Sequence, residues 1–200
     1  MSMKPTTIIL GVIGLVVVIL FGMTCSNYNG MVSGEEKVEK SWANVESAYQ
    51  SRADKTKNLI EIVKGAADFE KGALQDIVEA RSKATSIQLS ADDLTPEKLA
   101  AFEKAQGQFG NSIGRLLAIA ENYPNLKSVD AFRDFQVQYE GMENRIKKAR
   151  DDFNKAVEEY NKKIKRMPGK LFNSMLGWGF EKKAYFKAQA GAEEAPEIKF

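Results

Sequence analysis

The residues able to do acid–base, nucleophilic or metal chemistry are few and badly placed for it. Histidine is absent from the 200 residues and Cys25 is the only cysteine. Zinc sites, Ser/His/Asp triads and Cys/His nucleophile pairs all draw on those residue types. The neighbouring carboxylates Asp151-Asp152 and Glu158-Glu159 fall in a helical pattern, where adjacent side chains diverge by about 100°. They are poorly suited to converge on one substrate as a general acid and base. No glycine-rich phosphate loop follows a strand-like run. The chain therefore reads as a non-enzyme with no catalytic residue, cofactor, metal or small-molecule substrate; carboxylate- or lysine-based chemistry of an unusual kind is the competing class.

Charge narrows the partners. The 29 basic and 27 acidic residues nearly cancel, so no global field draws the chain to nucleic acid. A lone cysteine forms no internal disulfide, which leaves the compartment to be read from topology. At 44% hydrophobic and 28% charged residues, the length allows one globular domain plus an anchor.

The anchor is the run Ile8–Met23, which carries no charge. With Thr6, Thr7 and Thr24 it reaches about 19 residues, close to the roughly 20 that cross a hydrocarbon core. Ile8, Leu10, Val12, Leu15, Val18, Leu20 and Phe21 are its membrane-facing residues, and the lipid bilayer is the first expected partner. A cleaved signal peptide, or lipidation at Cys25 after Gly22-Met23-Thr24, is the rival reading; the region lacks an Ala-x-Ala pattern. Lys4 precedes the run, whereas Glu35, Glu36 and then Lys37 follow it. That bias places the N-terminus in the cytoplasm and the remainder outside it, in a single-pass protein of the cell membrane.

The rest of the chain carries helical periods. Asn27-Tyr28-Asn29-Gly30 reads as a break, and Ser33 with Glu36 has the spacing of a capping box that starts a long helix. Its inward stripe is Val38, Trp42, Val45, Tyr49, Ala53, Thr56, Leu59/Ile60, Val63, Ala67, Leu74, Ile77 and Arg81, in a three-four rhythm. Gly65 and Gly72 can bend it, each at about 1 kcal/mol relative to alanine. After a polar connection from Ser90 to Thr95, Thr95-Pro96 reads as an N-cap with proline at the first helical position. A second helix then runs to about Asn122, before Pro124. A third shows the cleanest period, from Phe132, Phe135, Tyr139, Met142, Ile146, Ala149, Phe153, Ala156, Tyr160 and Ile164 to Met167, the seam of a coiled-coil-like bundle. Arg150 and the other charges between those positions read as its solvated face.

These patterns predict an all-α chain: an N-terminal transmembrane helix followed by an antiparallel long-helix bundle of three to four helices. The expected divisions are an anchor at 1–26, a bundle at 27–187 and a flexible tail at 188–200.

Several motifs resemble the LemA family. They are Gly114-Arg115-Leu116-Leu117-Ala118-Ile119-Ala120-Glu121-Asn122-Tyr123-Pro124-Asn125-Leu126-Lys127-Ser128, Glu143-Asn144-Arg145-Ile146 with Ala149-Arg150, the pairs Phe153-Asn154 and Tyr160-Asn161, and the closing Ala195-Pro196-x-x-x-Phe200. Tyr28-Asn29-Gly30-Met31-Val32 resembles the family's opening motif, and Trp42, Arg52-Ala53-Asp54, Asn58-Leu59 and Ala80-Arg81 follow in its order. The resemblance implies an N-terminal membrane segment and a four-helix-type bundle of poorly defined cellular role. Some members occur among magnetosome membrane proteins, which points to membrane organisation. The chain departs from the pattern at Lys55-Thr56-Lys57-Asn58-Leu59, which lacks the usual proline and favours a straighter first helix. It departs again at Ala66-Ala67-Asp68-Phe69-Glu70, which lacks the usual histidine, so no metal role carries over.

Three features are candidates for interaction. Gly107, Gly110, Gly114 and Ala118 share a face of the second helix, and small residues so spaced permit close helix approach, inside the bundle or against a second subunit. Internal packing is the first expectation. The cluster of Arg115, Glu121, Asn122, Tyr123, Pro124 and Asn125 is a turn that locks two helices or recognises a partner. Phe172, Trp178 and Phe180, flanked by Lys170, Lys182 and Lys183, either dip into a membrane interface or cap the bundle. The whole reads as a membrane-anchored scaffold or interaction protein with a protein partner or homo-oligomer. The alternative is a ligand-binding bundle or an accessory subunit of a membrane complex.

Overall fold

The computed structural model describes residues 5–65 and 69–187. Among the described residues all regular structure is helical: α1 (Pro5–Lys64), α2 (Lys71–Ser86), α3 (Pro96–Ala120), the short α4 (Pro124–Lys127), α5 (Asp130–Lys165) and α6 (Gly169–Leu176), with a 3-10 turn at Ala91–Asp93. The chain divides into two units, Met1–Lys40 with Lys155–Lys183 and Ser41–Asn154 with Ala184–Phe200.

The larger unit is an antiparallel four-helix bundle, and its cross-contacts give each helix a direction. Trp42 of α1 donates its indole N–H to Leu89 O just past α2 (2.9 Å), and Arg81 of α2 donates to Ala53 O (3.0 Å), so α2 runs back along α1. Gln106 of α3 donates to Ala84 O (3.2 Å), and Arg115 reaches Asp76 (2.9 Å), so α3 reverses again. On α5, Glu143 meets Arg52 (2.9 Å) and Arg150 meets Glu103 (2.6 Å), which makes it antiparallel to both α1 and α3. Apolar stripes of the four helices meet in one core, where Leu59, Ile77, Phe109, Ile113, Leu116 and Phe132 are at most 1% exposed.

Two boundaries differ from the sequence expectation. The turn formers Asn27–Gly30 do not break the chain: α1 continues through them, and Ser33 and Glu36 lie inside it and cap nothing. Thr24 and Asn27 return side-chain hydrogen bonds to Leu20 O and Met23 O, both at 2.8 Å, so their polar atoms are satisfied without leaving the helix. Lys163 donates to Gly30 O (2.8 Å). Gly34 is buried under Tyr160, whose ring would lie 3.2 Å from an added Cβ. These contacts outweigh a propensity deficit of about 1 kcal/mol per glycine. Conversely, the stripe from Val38 to Ile77 is split, because α1 stops at Lys64 and α2 begins at Lys71. That break turns an expected long hairpin arm into two helices and makes the bundle four-stranded. Ala67 lies outside the described residues.

Elsewhere the local chemistry acts as read. Thr95 caps α3, accepting from Lys98 N at 3.3 Å, with Pro96 at the first helical position. The polar connection before it still buries Leu94. Along α5 the seam shifts: Val157, not Ala156, is fully buried, and Met167 is 71% exposed beyond the helix end. A straight helix drifts about 20° per heptad against a strict seven-residue repeat, enough to pass the inward position to a neighbour.

After α6 the chain runs without regular secondary structure to Lys187, held by asparagine side chains that bond one residue's N–H and C=O together. Asn173 clamps Phe180 and Asn161 clamps Lys183 in the smaller unit. In the larger unit Asn154 clamps Phe186. Phe186 is thereby buried against Trp42 (6.0 Å) and Phe153 (5.3 Å). The tail expected at 188–200, with Ala195-Pro196-x-x-x-Phe200, lies outside the described residues.

Candidate functional site

The chemistry the structure concentrates lies on α3 and its neighbours. Gly107, Gly110 and Gly114 floor a groove of about 540 Å³ whose walls are Tyr49 and Arg52 of α1, Glu103 and Gln106 of α3, and Tyr139, Glu143 and Arg150 of α5. A Cβ at Gly107 or Gly114 would meet nothing within 4 Å, and one at Gly110 would lie 3.2 Å from Arg52 Nη1. The glycines are thus not packed against a neighbouring helix backbone, as first expected; they lower the floor of a polar groove and leave room for a guanidinium.

Arg52 organises this groove at 3% exposure. Its Nη1 donates to Glu143 Oε1 (2.9 Å), and its Nη2 donates to Gln106 O and Oε1 (both 2.8 Å). The guanidinium also lies 5.1 Å from the Tyr49 ring and 5.2 Å from the Phe109 ring, while buried Nε has no hydrogen-bond partner. Tyr139 donates to Gly110 O at 3.2 Å. At the far wall Arg150 pairs with Glu103, donates to Lys187 O (3.1 Å) and stacks on Phe186 at 4.7 Å. Burial pushes the Glu103 carboxyl above its ordinary value, opposed by Arg150 and Lys187. Burial likewise raises the phenols of Tyr49 and Tyr139. Donors and acceptors of both signs suit recognition of polar backbone or mixed-charge side chains.

The remaining sequence candidates fall in separate places. Arg115 is the exception: it also lines the groove beside Gly114 and pairs with Asp76, both more than half exposed. Ala118 is exposed. Tyr123 packs on Phe69 with the rings tilted by 42° (5.1 Å), and Leu126 is buried in the same core, so the turn before α5 joins the core. Trp178 and Phe180 belong to the other unit, where both lie against Tyr28 (5.2 and 5.6 Å). Cys25 is an exposed free thiol. The anchor residues Ile8, Leu10, Val12, Leu15, Val18, Leu20 and Phe21 are 50–71% exposed. Helix α1 is long and apolar enough to cross a membrane, and none of its most apolar window is buried.

Arg52, Gln106, Glu143 and Arg150 escaped the periodicity argument. Arg52 adjoins the stripe residue Ala53, and Arg150 adjoins Ala149, a spacing that also describes a solvated flank. The appearance of Arg52, Glu143 and Arg150 within family-like motifs marked those three, and nothing marked Gln106.

Comparison with known proteins finds relatives that match most of the chain. Two magnetosome proteins from Paramagnetospirillum magneticum, MamQ 1 and MamQ 2, are each 27% identical over 198 residues, covering 90% of this chain and 71% of theirs. The magnetosome protein MamQ of Magnetospirillum gryphiswaldense is 31% identical over 140 residues, covering 70% of this chain and 48% of its own length. The LemA family profile matches residues 41–200, which takes in the whole groove, and the chain belongs to the LemA family.

Proposed function

We propose that this protein is a membrane-anchored interaction module without catalytic activity, in which α1 crosses the bilayer and the groove over Gly107, Gly110 and Gly114 receives a polar segment of a protein partner. The observation that carries the reading is the wholly unburied apolar window of α1, beside a bundle whose own stripes meet in a buried core. Exposed in water, such a surface would be an aggregation hazard; in lipid it is the expected state. The charge bias around the span favours the bundle on the extracytoplasmic side. The names of the relatives fit a role in organising a membrane compartment.

A second reading, a ligand-binding bundle, draws on the groove volume of about 540 Å³, within the roughly 300–1,000 Å³ common for small-molecule sites. Its mixed-charge walls favour a peptide over an apolar ligand. A photo-crosslinking residue at Asn111, on the groove rim, is the direct test in native membranes. Capture of a defined protein there, and not from Val137 on α5, supports the reading; equal capture from both positions refutes it. Protease added to intact cells checks the orientation, since an extracytoplasmic bundle is cleaved and a cytoplasmic one is spared.

A further inference from the structure

Helix α6 leaves an apolar face uncovered. Leu171, Met175 and Leu176 are 45%, 72% and 53% exposed, with Met167 at 71% just before them. At about 100° per residue these three and Phe172 share an arc of roughly 140°. The basic residues Lys165, Arg166, Lys170 and Lys182 are exposed in the chain that forms and flanks α6, with Glu181 as the one acid in the stretch.

The height of this helix relative to the span follows from contacts within its own unit. Gly169 sits so close to α1 that an added Cβ would lie 2.7 Å from Met31 Cε and 3.2 Å from Asn27 Oδ1. Tyr28 packs on Trp178 at 5.2 Å. Asn27, Tyr28 and Met31 follow Thr24, the end of the apolar run, by about 4.5 to 10.5 Å along the helix. The headgroup region of one leaflet is roughly 5–8 Å thick. The attachment of α6 therefore falls in and just above the headgroups of the leaflet from which α1 emerges.

We propose that α6 is a second membrane contact, an interfacial helix that lays Leu171, Met175 and Leu176 into the headgroup–acyl boundary and sets Arg166, Lys170 and Lys182 against anionic headgroups. The occupant is lipid, because α6 attaches to α1 directly past the end of the apolar span and its mostly basic flanks are complementary to anionic headgroups. This inference rests on the spanning reading of α1.

The test uses the full chain in nanodiscs of three parts phosphatidylcholine to one part phosphatidylglycerol, carrying single spin labels in a Cys25→Ser background. Labels at Met175→Cys, at Val18→Cys in the span and at Val137→Cys on α5 are compared for collision with oxygen and with a water-soluble nickel chelate. The expected result is a Met175 label rich in oxygen contact and several-fold poorer in nickel contact than Val137, at a depth shallower than Val18. Replacing the anionic lipid with phosphatidylcholine raises its nickel contact. A nickel-accessible Met175 beside a lipid-buried Val18 overturns the interfacial helix and leaves the anchor standing. Nickel access at both overturns the anchor as well. A Met175 label shielded from both reagents and broadened by a second label places another copy of the chain on the face and overturns the lipid assignment, and insensitivity to anionic lipid overturns the role of the basic flanks.

Discussion

Removing the more exposed partner of the Arg52–Glu143 pair is expected to cost more stability than removing the buried one. Arg52 is 3% exposed at the side chain and Glu143 is 39%. Glu143→Ala leaves a guanidinium locked in the bundle with only Gln106 O and Oε1 as oxygen acceptors and with Nε already unpartnered. Losing the counter-charge of a buried ion costs about 3–5 kcal/mol. Arg52→Met deletes the buried charge and nearly preserves volume. Glu143 then rehydrates at its exposed face, and the chief loss is the Gln106 acceptors, about 1–3 kcal/mol for an unsatisfied buried polar group. Part of that loss is offset by relief of the guanidinium's own desolvation. The assay is urea unfolding of the full chain in nanodiscs at pH 7, followed by tryptophan fluorescence and circular dichroism. Trp42 lies in the same unit and is 2% exposed. An Arg52→Met variant less stable than Glu143→Ala by 1 kcal/mol or more, beyond the roughly 0.5 kcal/mol noise of such comparisons, refutes the reasoning and makes the guanidinium's contacts a net source of stability.

Four further outcomes follow from the same geometry. Gly107→Ala and Gly114→Ala meet open space and should each stabilise by about 0.5–1 kcal/mol, whereas Gly110→Ala gains little because Arg52 must shift; equal gains at all three in the same urea assay would contradict the groove geometry. Gly169→Ala brings a Cβ to 3.1 Å from Lys163 O, a backbone atom that cannot swing away as Met31 can, and should cost about 1–3 kcal/mol, seen as earlier proteolysis near α6. Phe186→Ala, at a ring buried against Trp42 and Phe153, should cost about 3–5 kcal/mol; a cost below 1 kcal/mol would mean that the segment after α6 is not part of the core. Because burial raises the Glu103 carboxyl in the folded state, its contribution is most favourable below the unfolded carboxylate range near pH 4.3 and declines as pH rises through the raised folded value. The stability of Glu103→Gln relative to the native chain should therefore rise from pH 4 to pH 7, and a fall over that window would reverse the sign of the argument.

What the sequence determined alone was whatever depends on composition or on an unbroken period. An uncharged run from Ile8 to Met23 has one low-energy environment in any fold, so the candidate span was legible without a partner. The seam from Phe132 to Ile164 predicted α5 because side chains every three or four residues can all be buried only on one helical face. Thr95-Pro96 marked the start of α3 because capping is satisfied within a few residues. Tertiary structure decided the rest, where local preferences of about 1 kcal/mol compete with packing. Asn27–Gly30 stayed helical because Lys163 and Tyr160 cover the adjacent turn, while α1 stops at Lys64 and α2 begins at Lys71 despite a continuing stripe. Whether a charge beside a stripe is solvated or enclosed depends on which helices face it, so Arg52 and Arg150 became groove walls only once α1, α3 and α5 were assembled. The irregular segment to Lys187 has no period of its own; Asn154, Asn161 and Asn173 hold it through backbone groups that no side-chain pattern reveals.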